Sequence, residues 1–160
     1  MRNILSIGAG KAALAFLLVA LWAPGDAMAQ TPAAPSEERA EIEKLVADYV
    51  GLYTMPTLDA WKTLFHPALT VSSPGPDGPI RVRDLEAFFT AQKNSFATGK
   101  KIRERLENVR IEEGRRIARV TAEFILVEEG RENRGKLGLH AAKGKEGWKI
   151  VAIIFSYDQP

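Results

Sequence analysis

The sequence predicts an α+β fold, in which N-terminal helices pack on a strongly curved antiparallel sheet, and three observations predict it. Apolar residues recur at helical spacing as far as Phe96, strand-like alternation takes over from Lys101, and the later segments are joined by short turns. Helices first and strands after them is the pattern of a sheet covered on one side.

The chain opens with Arg2 and Lys11, an apolar stretch from Ala12 to Ala23, and then Ala27-Met28-Ala29. This is the layout of a cleavable secretory signal peptide, residues 1–29, with the cut expected after Ala29. Twelve apolar residues are too few to span a bilayer, so no stable membrane anchor is expected after cleavage. Localisation is therefore expected to be periplasmic or secreted. The chain has no cysteine, which removes lipid attachment at a cysteine, disulfides and thiolate metal sites.

Cleavage would take 29 of the 160 residues and leave 131, one ordinary domain. Without Arg2, Lys11 and Asp26 there are 20 Lys+Arg and 19 Asp+Glu, a net charge of +1. The basic patches, Lys100-Lys101-x-Arg103-x-Arg105 and Arg115-Arg116-x-x-Arg119, lie close to Glu104, Glu107, Glu112 and Glu113. Mixed charge does not build a field that tracks phosphates, so these read as solvated strand faces and no nucleic-acid partner is expected.

Residues 30–35, QTPAAP, read as a disordered spacer, and the folded domain is expected over 36–160. Ser36 is the N-cap of a first helix, with Glu37 and Glu38 in its first turn. Ile42, Leu45, Val46, Tyr49 and Tyr53 form its apolar stripe, and Pro56 ends it. Thr57 is expected to cap a second helix carrying Leu58, Trp61, Leu64 and Phe65, stopped by His66-Pro67. Ala68 to Ser73 read as a short strand, and Ser73 to Pro79 as a turn. Asp84 caps a third helix with Leu85, Phe88, Phe89 and Phe96 on one stripe, and Gly99 supplies the left-handed residue past its end.

Four long strands follow: Lys101 to Glu112, Arg116 to Glu129, Gly135 to Gly144, and Trp148 to Asp158. The last is apolar on both faces, with Val151, Ile153, Phe155 and Tyr157 on one side and Trp148, Ile150, Ala152 and Ile154 on the other. A second apolar face needs cover. Together with Ile125 and Val127 on the neighbouring strand, it predicts a homodimer through the outer sheet face.

A helix with an inward Tyr, the DAW…LFHP segment running into a strand, a Gly/Pro turn, a third helix and four strands ending in GWKI…F-S-Y resemble the NTF2-like superfamily. The SnoaL-like and ketosteroid-isomerase-like branches are the most similar. The resemblance covers Ser36 to Tyr157 and implies a cone-shaped fold around a pocket. Its members span isomerases, dehydratases, cyclases and non-catalytic binders, so the fold alone does not choose a function.

Aligned with the isomerase pattern, Tyr49 takes the place of the phenol that stabilises an enolate oxygen. Ser73 stands where that pattern has its general-base Asp, and Gly138 or Leu139 where it has a second, acidic donor. A serine hydroxyl with no base beside it does not remove a proton from carbon near neutral pH. His66 reads as a surface residue at a helix end. His140 alternates with Leu137 and Leu139 and faces outward unless a bulge turns it into the pocket. Asp59 favours its helix dipole, and Glu123 and Arg119 share an outer face. The two histidines are not spaced as local ligands, so no metal site and no cofactor are expected.

The expected pocket is walled by Tyr49, Tyr53, Trp61, Phe65, Phe89, Phe124, Phe155 and Tyr157. The leading expectation is an exported protein that binds a small hydrophobic ligand or serves in an envelope assembly, without catalytic residues. The alternatives are an isomerase, dehydratase or cyclase using Tyr49 as donor and His140 as base, or a dimeric interaction module whose cone is filled by its own side chains.

Overall fold

The computed structural model describes residues 36–75 and 78–158. The expected signal peptide and spacer lie outside the described residues. Helix α1 (Glu37–Gly51) begins where Ser36 Oγ accepts the Arg39 N–H at 3.0 Å, leaving Glu37 and Glu38 in the first turn. Ile42, Leu45, Val46 and Tyr49 form its buried stripe. The helix stops before Tyr53, which is buried from the following loop. Pro56 lacks the N–H a continuing helix needs, and the chain instead makes a tight turn over Met55–Thr57.

Helix α2 (Leu58–Lys62) is shorter than the sequence predicts, because Phe65 already begins strand β1 (Phe65–Gly75). His66 precedes a proline, which favours extended backbone over helix. Thr57 does not cap α2; its hydroxyl donates to the Leu52 carbonyl at 2.8 Å and ties the loop to the end of α1. A second strand, β2 (Gly78–Arg83), pairs antiparallel with β1, so the segment read as a turn is the tip of a hairpin. Prolines are tolerated there because β2 is an edge strand and the register shifts at Pro74/Gly75.

Helix α3 (Leu85–Ala97) starts at Asp84, whose Oδ1 accepts the Ala87 N–H at 2.8 Å, and ends before Gly99 at φ 77°. Strands β3 (Ile102–Glu113), β4 (Ile117–Glu128), β5 (Arg131–Gly144) and β6 (Gly147–Tyr157) are joined in antiparallel sequence. Glu129 and Gly130 both have positive φ, 51° and 80°, which suits a two-residue hairpin between β4 and β5.

The sheet order is β2-β1-β6-β5-β4-β3. The sheet is mixed rather than antiparallel throughout, because β6 returns beside β1 in the parallel sense. That pairing is open to β1 and β6 because almost the whole domain separates them in sequence. The core lies between the inner sheet face and the helices. Trp61 Nε1 donates to the Tyr49 carbonyl at 2.8 Å, and Trp148 Nε1 donates to Glu41 at 3.0 Å, so α2 and β6 are both tied to α1. Lys143 of β5 also pairs with Glu41. No helix among the described residues is long and apolar enough to cross a membrane.

The two faces of β6 differ from the alternation expected for it. Ala141 pairs with Ile150 and His140 with Ala152, so Val151 is an extra, unpaired residue and the side-chain parity reverses there. Trp148 and Ile150 therefore join the core along with Ile153, and Ile150 is fully buried within the chain. Ile125 does face outward, yet it too is fully buried. Its cross-strand neighbours are Arg105 and Arg134, whose guanidinium groups pair with Glu107 and Glu132 and whose long stems suit them to cover it. Three of the residues held to require a partner, Trp148, Ile150 and Ile125, are thus covered by their own chain. Ile154 remains 55% exposed.

Candidate functional site

The helices do not close over the whole inner face, and a cavity of about 430 Å³ remains, within the roughly 300–1,000 Å³ range of ligand clefts. Its apolar wall comes from every layer. Tyr49 and Tyr53 approach from α1 and its exit loop, Trp61 from α2, Phe88 from α3, and Phe124, Phe155 and Tyr157 from the sheet. Tyr49 and Tyr53 pack against Trp61 with ring centroids 5.7 and 5.0 Å apart, and Phe124, Phe155 and Tyr157 meet edge to face at 5.1–6.2 Å.

Six of the eight aromatics expected around the pocket line it, and two do not. Phe65 packs edge-on against Trp61, 4.6 Å between centroids, on the core side of that ring. Phe89 sits one position from the lining Phe88, turned by the helix toward Lys62, whose ammonium lies 4.7 Å from its centroid. Phe88 takes the place the sequence assigns to Phe89.

Both histidines lie outside. His140 is exposed on the outer face between Arg119 and Ala152, because the bulge that could have redirected it falls on β6 and not on β5. His66 is exposed at the start of β1, where its Nδ1 accepts the Ala68 N–H at 3.1 Å. His140 therefore does not face the cavity and is not placed to act as a base there. Glu123 and Arg119 are outer-face groups paired with Lys136 and Glu112. Among the described residues no three His, Asp or Glu side chains come together as a metal site.

The carboxyl that does face the cavity is Glu104. Strand alternation puts Ile102, Glu104 and Leu106 inward and Arg103, Arg105 and Glu107 outward. Glu104 is paired across the ladder with the lining residue Leu126, and its carboxylate has no ion pair or hydrogen bond among the described residues. Loss of water around it raises its pKa from 4.5 to about 7. The same carboxyl acts on the phenols of Tyr49, Tyr53 and Tyr157, which burial already pushes upward, so all three stay protonated. Tyr53 donates its hydroxyl hydrogen to Gln92 of α3. Tyr49 and Tyr157 are then the phenols left to face a ligand.

The sequence carried a signal for Glu104, since Ile102-x-Glu104-x-Leu106 is one face of a strand. Reading the segment as a charge cluster hid the alternation inside it. The other polar lining residues are buried Ser73, Arg81 and Arg83 from β2, Gln92 and Ser95 from α3, and Glu128 beside Ile102. Glu128 is held by Lys100 at 2.7 Å.

A family model described as the SnoaL-like domain matches residues 42–159. Among solved structures, the chain is similar to a candidate dehydratase of the NTF2-like family from Streptomyces avermitilis, with TM-score 0.65 at 13% identity over 79% of this chain and 100% of that one. It is also similar to the Kfla4162 protein from Kribbella flavida, with TM-score 0.64 at 15% identity over 76% and 91%. A candidate aromatic ring hydroxylase from Novosphingobium aromaticivorans gives TM-score 0.63 at 19% identity over 79% and 93%. No curated protein matches the chain. Likeness at these identities speaks for an NTF2-like fold, and the family match covers nearly all the described residues: the chain belongs to the SnoaL-like family.

Proposed function

We propose that this protein binds a small, largely apolar molecule in the cavity and that Glu104 exchanges a proton with it, the acid–base chemistry of an isomerase or dehydratase. The observation that supports this reading is a carboxyl without a partner in an aromatic cavity, where burial pushes its pKa up to about 7. Near neutrality both forms of such a group are populated. As carboxylate it accepts a proton from a substrate carbon, and as acid it returns the proton to another carbon or to a departing hydroxyl. The phenols of Tyr49 and Tyr157, held protonated, donate hydrogen bonds to the oxygen on which charge develops. The general base of this reading comes from β3, not from the position that Ser73 occupies.

The test is binding of ring-sized cyclic ketones by titration calorimetry, followed by deuterium uptake at their α-carbons in D₂O. Uptake above the buffer rate that disappears in Glu104→Gln while binding persists is the expected result. Binding with uptake unchanged by the substitution overturns the catalytic step, and no binding at all overturns the reading as a whole.

Export and pairing belong to the same proposal. The leader pattern of residues 1–29 supports an exported protein, and an intact mass beginning at Gln30 in cell extracts is the expected result. A second copy of the chain is the proposed cover for the outer face, now centred on Ile154 and Val82, which flank Ser72 in one cross-strand row.

A further inference from the structure

We propose that the ligand carries an anionic group, a carboxylate held by Arg81 and Arg83, at the end remote from Glu104. This rests on the ligand-binding reading and adds a charge and an orientation to it.

Strand β2 is built the opposite way round from the rest of the sheet. Arg83 pairs with Val71 and Arg81 with Ser73, and those two β1 residues are buried on the inner face, so both arginines face inward. Ile80 and Val82 take the outer face and are 70% and 65% exposed. A strand whose purpose was to close the core would put the isoleucine and valine inside. Here the inner positions are cationic, and both line the cavity.

The two arginines also differ from the ion-paired arginines of the outer surface in their surroundings. Arg39, Arg105, Arg119 and Arg134 each pair with a glutamate. Among the described residues Arg81 and Arg83 have no such ion pair, although Arg83 is partly buried. A guanidinium presents parallel N–H donors that match a carboxylate, and Ser73 adds a buried hydroxyl beside Arg81.

Position fixes the orientation. β2 and β3 are the two edges of the sheet, with four strands between them. The cavity therefore has a cationic end at Arg81 and Arg83, an acidic end at Glu104, and aromatic walls between. A molecule with an apolar ring and a carboxylate tail satisfies the first end, and its ring or a neutral polar substituent then meets the second. The reverse placement would set two carboxyl groups against each other in a poorly solvated space.

The experiment compares phenylacetate, 3-phenylpropanoate and cinnamate with their primary amides, by titration calorimetry at pH 7.5 on the purified protein. The carboxylates are expected to bind about tenfold or more tightly than the amides, the amount a charge-assisted hydrogen bond supplies. The double variant Arg81→Gln/Arg83→Gln is expected to abolish that preference, so that acids and amides bind alike, and Arg83→Lys to keep part of it. Retained amide binding, with a wild-type circular dichroism spectrum, shows that the variant is folded. Equal binding of acids and amides by the wild type, or a preference that survives the double variant, overturns the inference while the ligand-binding reading stands. Failure of both series to bind overturns the two together.

Discussion

Glu104 and Arg105 are neighbours on β3 that face opposite ways, and the two sides of the strand treat charge differently. Outside, Arg105 joins Glu107, Glu132 and Arg134 in a closed set of ion pairs at 2.9–3.7 Å, lying over the buried Ile125. Inside, Glu104 faces phenols and hydrocarbon and is paired with no cation among the described residues. The outer charges neutralise one another. The inner one costs stability whenever it ionises. A group that opposes folding at neutral pH, placed in a cavity, is where function is to be sought.

The largest expected effect tests the inner wall itself. A Cβ on Gly135 would lie 2.1 Å from the Ser156 carbonyl oxygen and 2.5 Å from the ring of Phe124, which lines the cavity. Gly135→Ala should therefore lose about 3 kcal/mol or more in urea unfolding, or fail to fold. Gly138 on the outer face has only the Ile154 carbonyl at 3.8 Å, so Gly138→Ala should change stability by less than about 0.5 kcal/mol. Equal effects at the two glycines would remove the distinction between the faces.

Next is the charge. A carboxyl whose pKa is raised by folding, from 4.5 to about 7, adds stability below pH 4.5 that is lost as pH rises through 7. Each tenfold in proton affinity is about 1.4 kcal/mol, so with its partial solvent contact Glu104 should cost the wild type roughly 2 kcal/mol between pH 4.5 and 8. Glu104→Gln should not show that loss when the two are compared by denaturant unfolding across this range. Parallel pH profiles would contradict the account of the inner face.

The outer set should be worth less. Arg134→Ala removes two exposed ion pairs and half the cover of Ile125, for an expected loss of about 1 kcal/mol that shrinks in high salt. Smallest of all should be the effect of Ile154→Lys on the unfolding of a single chain, within about 0.5 kcal/mol. In sedimentation the same change should dissociate the proposed homodimer. A wild-type chain that sediments as a monomer would dispose of the pairing.

Helix caps and strand positions were legible because they are local. Ser36, Asp84 and Gly99 announce their roles within a few residues of the helices they bound. The features that differ are set by more distant partners. The bulge at Val151 depends on the register against β5, and with it the burial of Ile150. The parallel pairing of β1 with β6 joins the first and last strands. At the site, Tyr49, Trp61 and Phe124 could be read from apolar patterning, since a pocket wall and a core share the same code. The polar residues could not. On β3 the alternation points to Glu104 once the charges are taken one at a time. On β2 it misleads, because Ile80 and Val82 would ordinarily be assigned to the inside.

The most direct test of the central claim is a ¹³C NMR titration of the glutamate side-chain carboxyls, with Glu104→Gln used to assign the resonance of interest. One carboxyl with a midpoint near 7 is expected in the wild type and is expected to be missing from the variant. A Glu104 resonance that titrates at about 4.3 with the surface glutamates would contradict it.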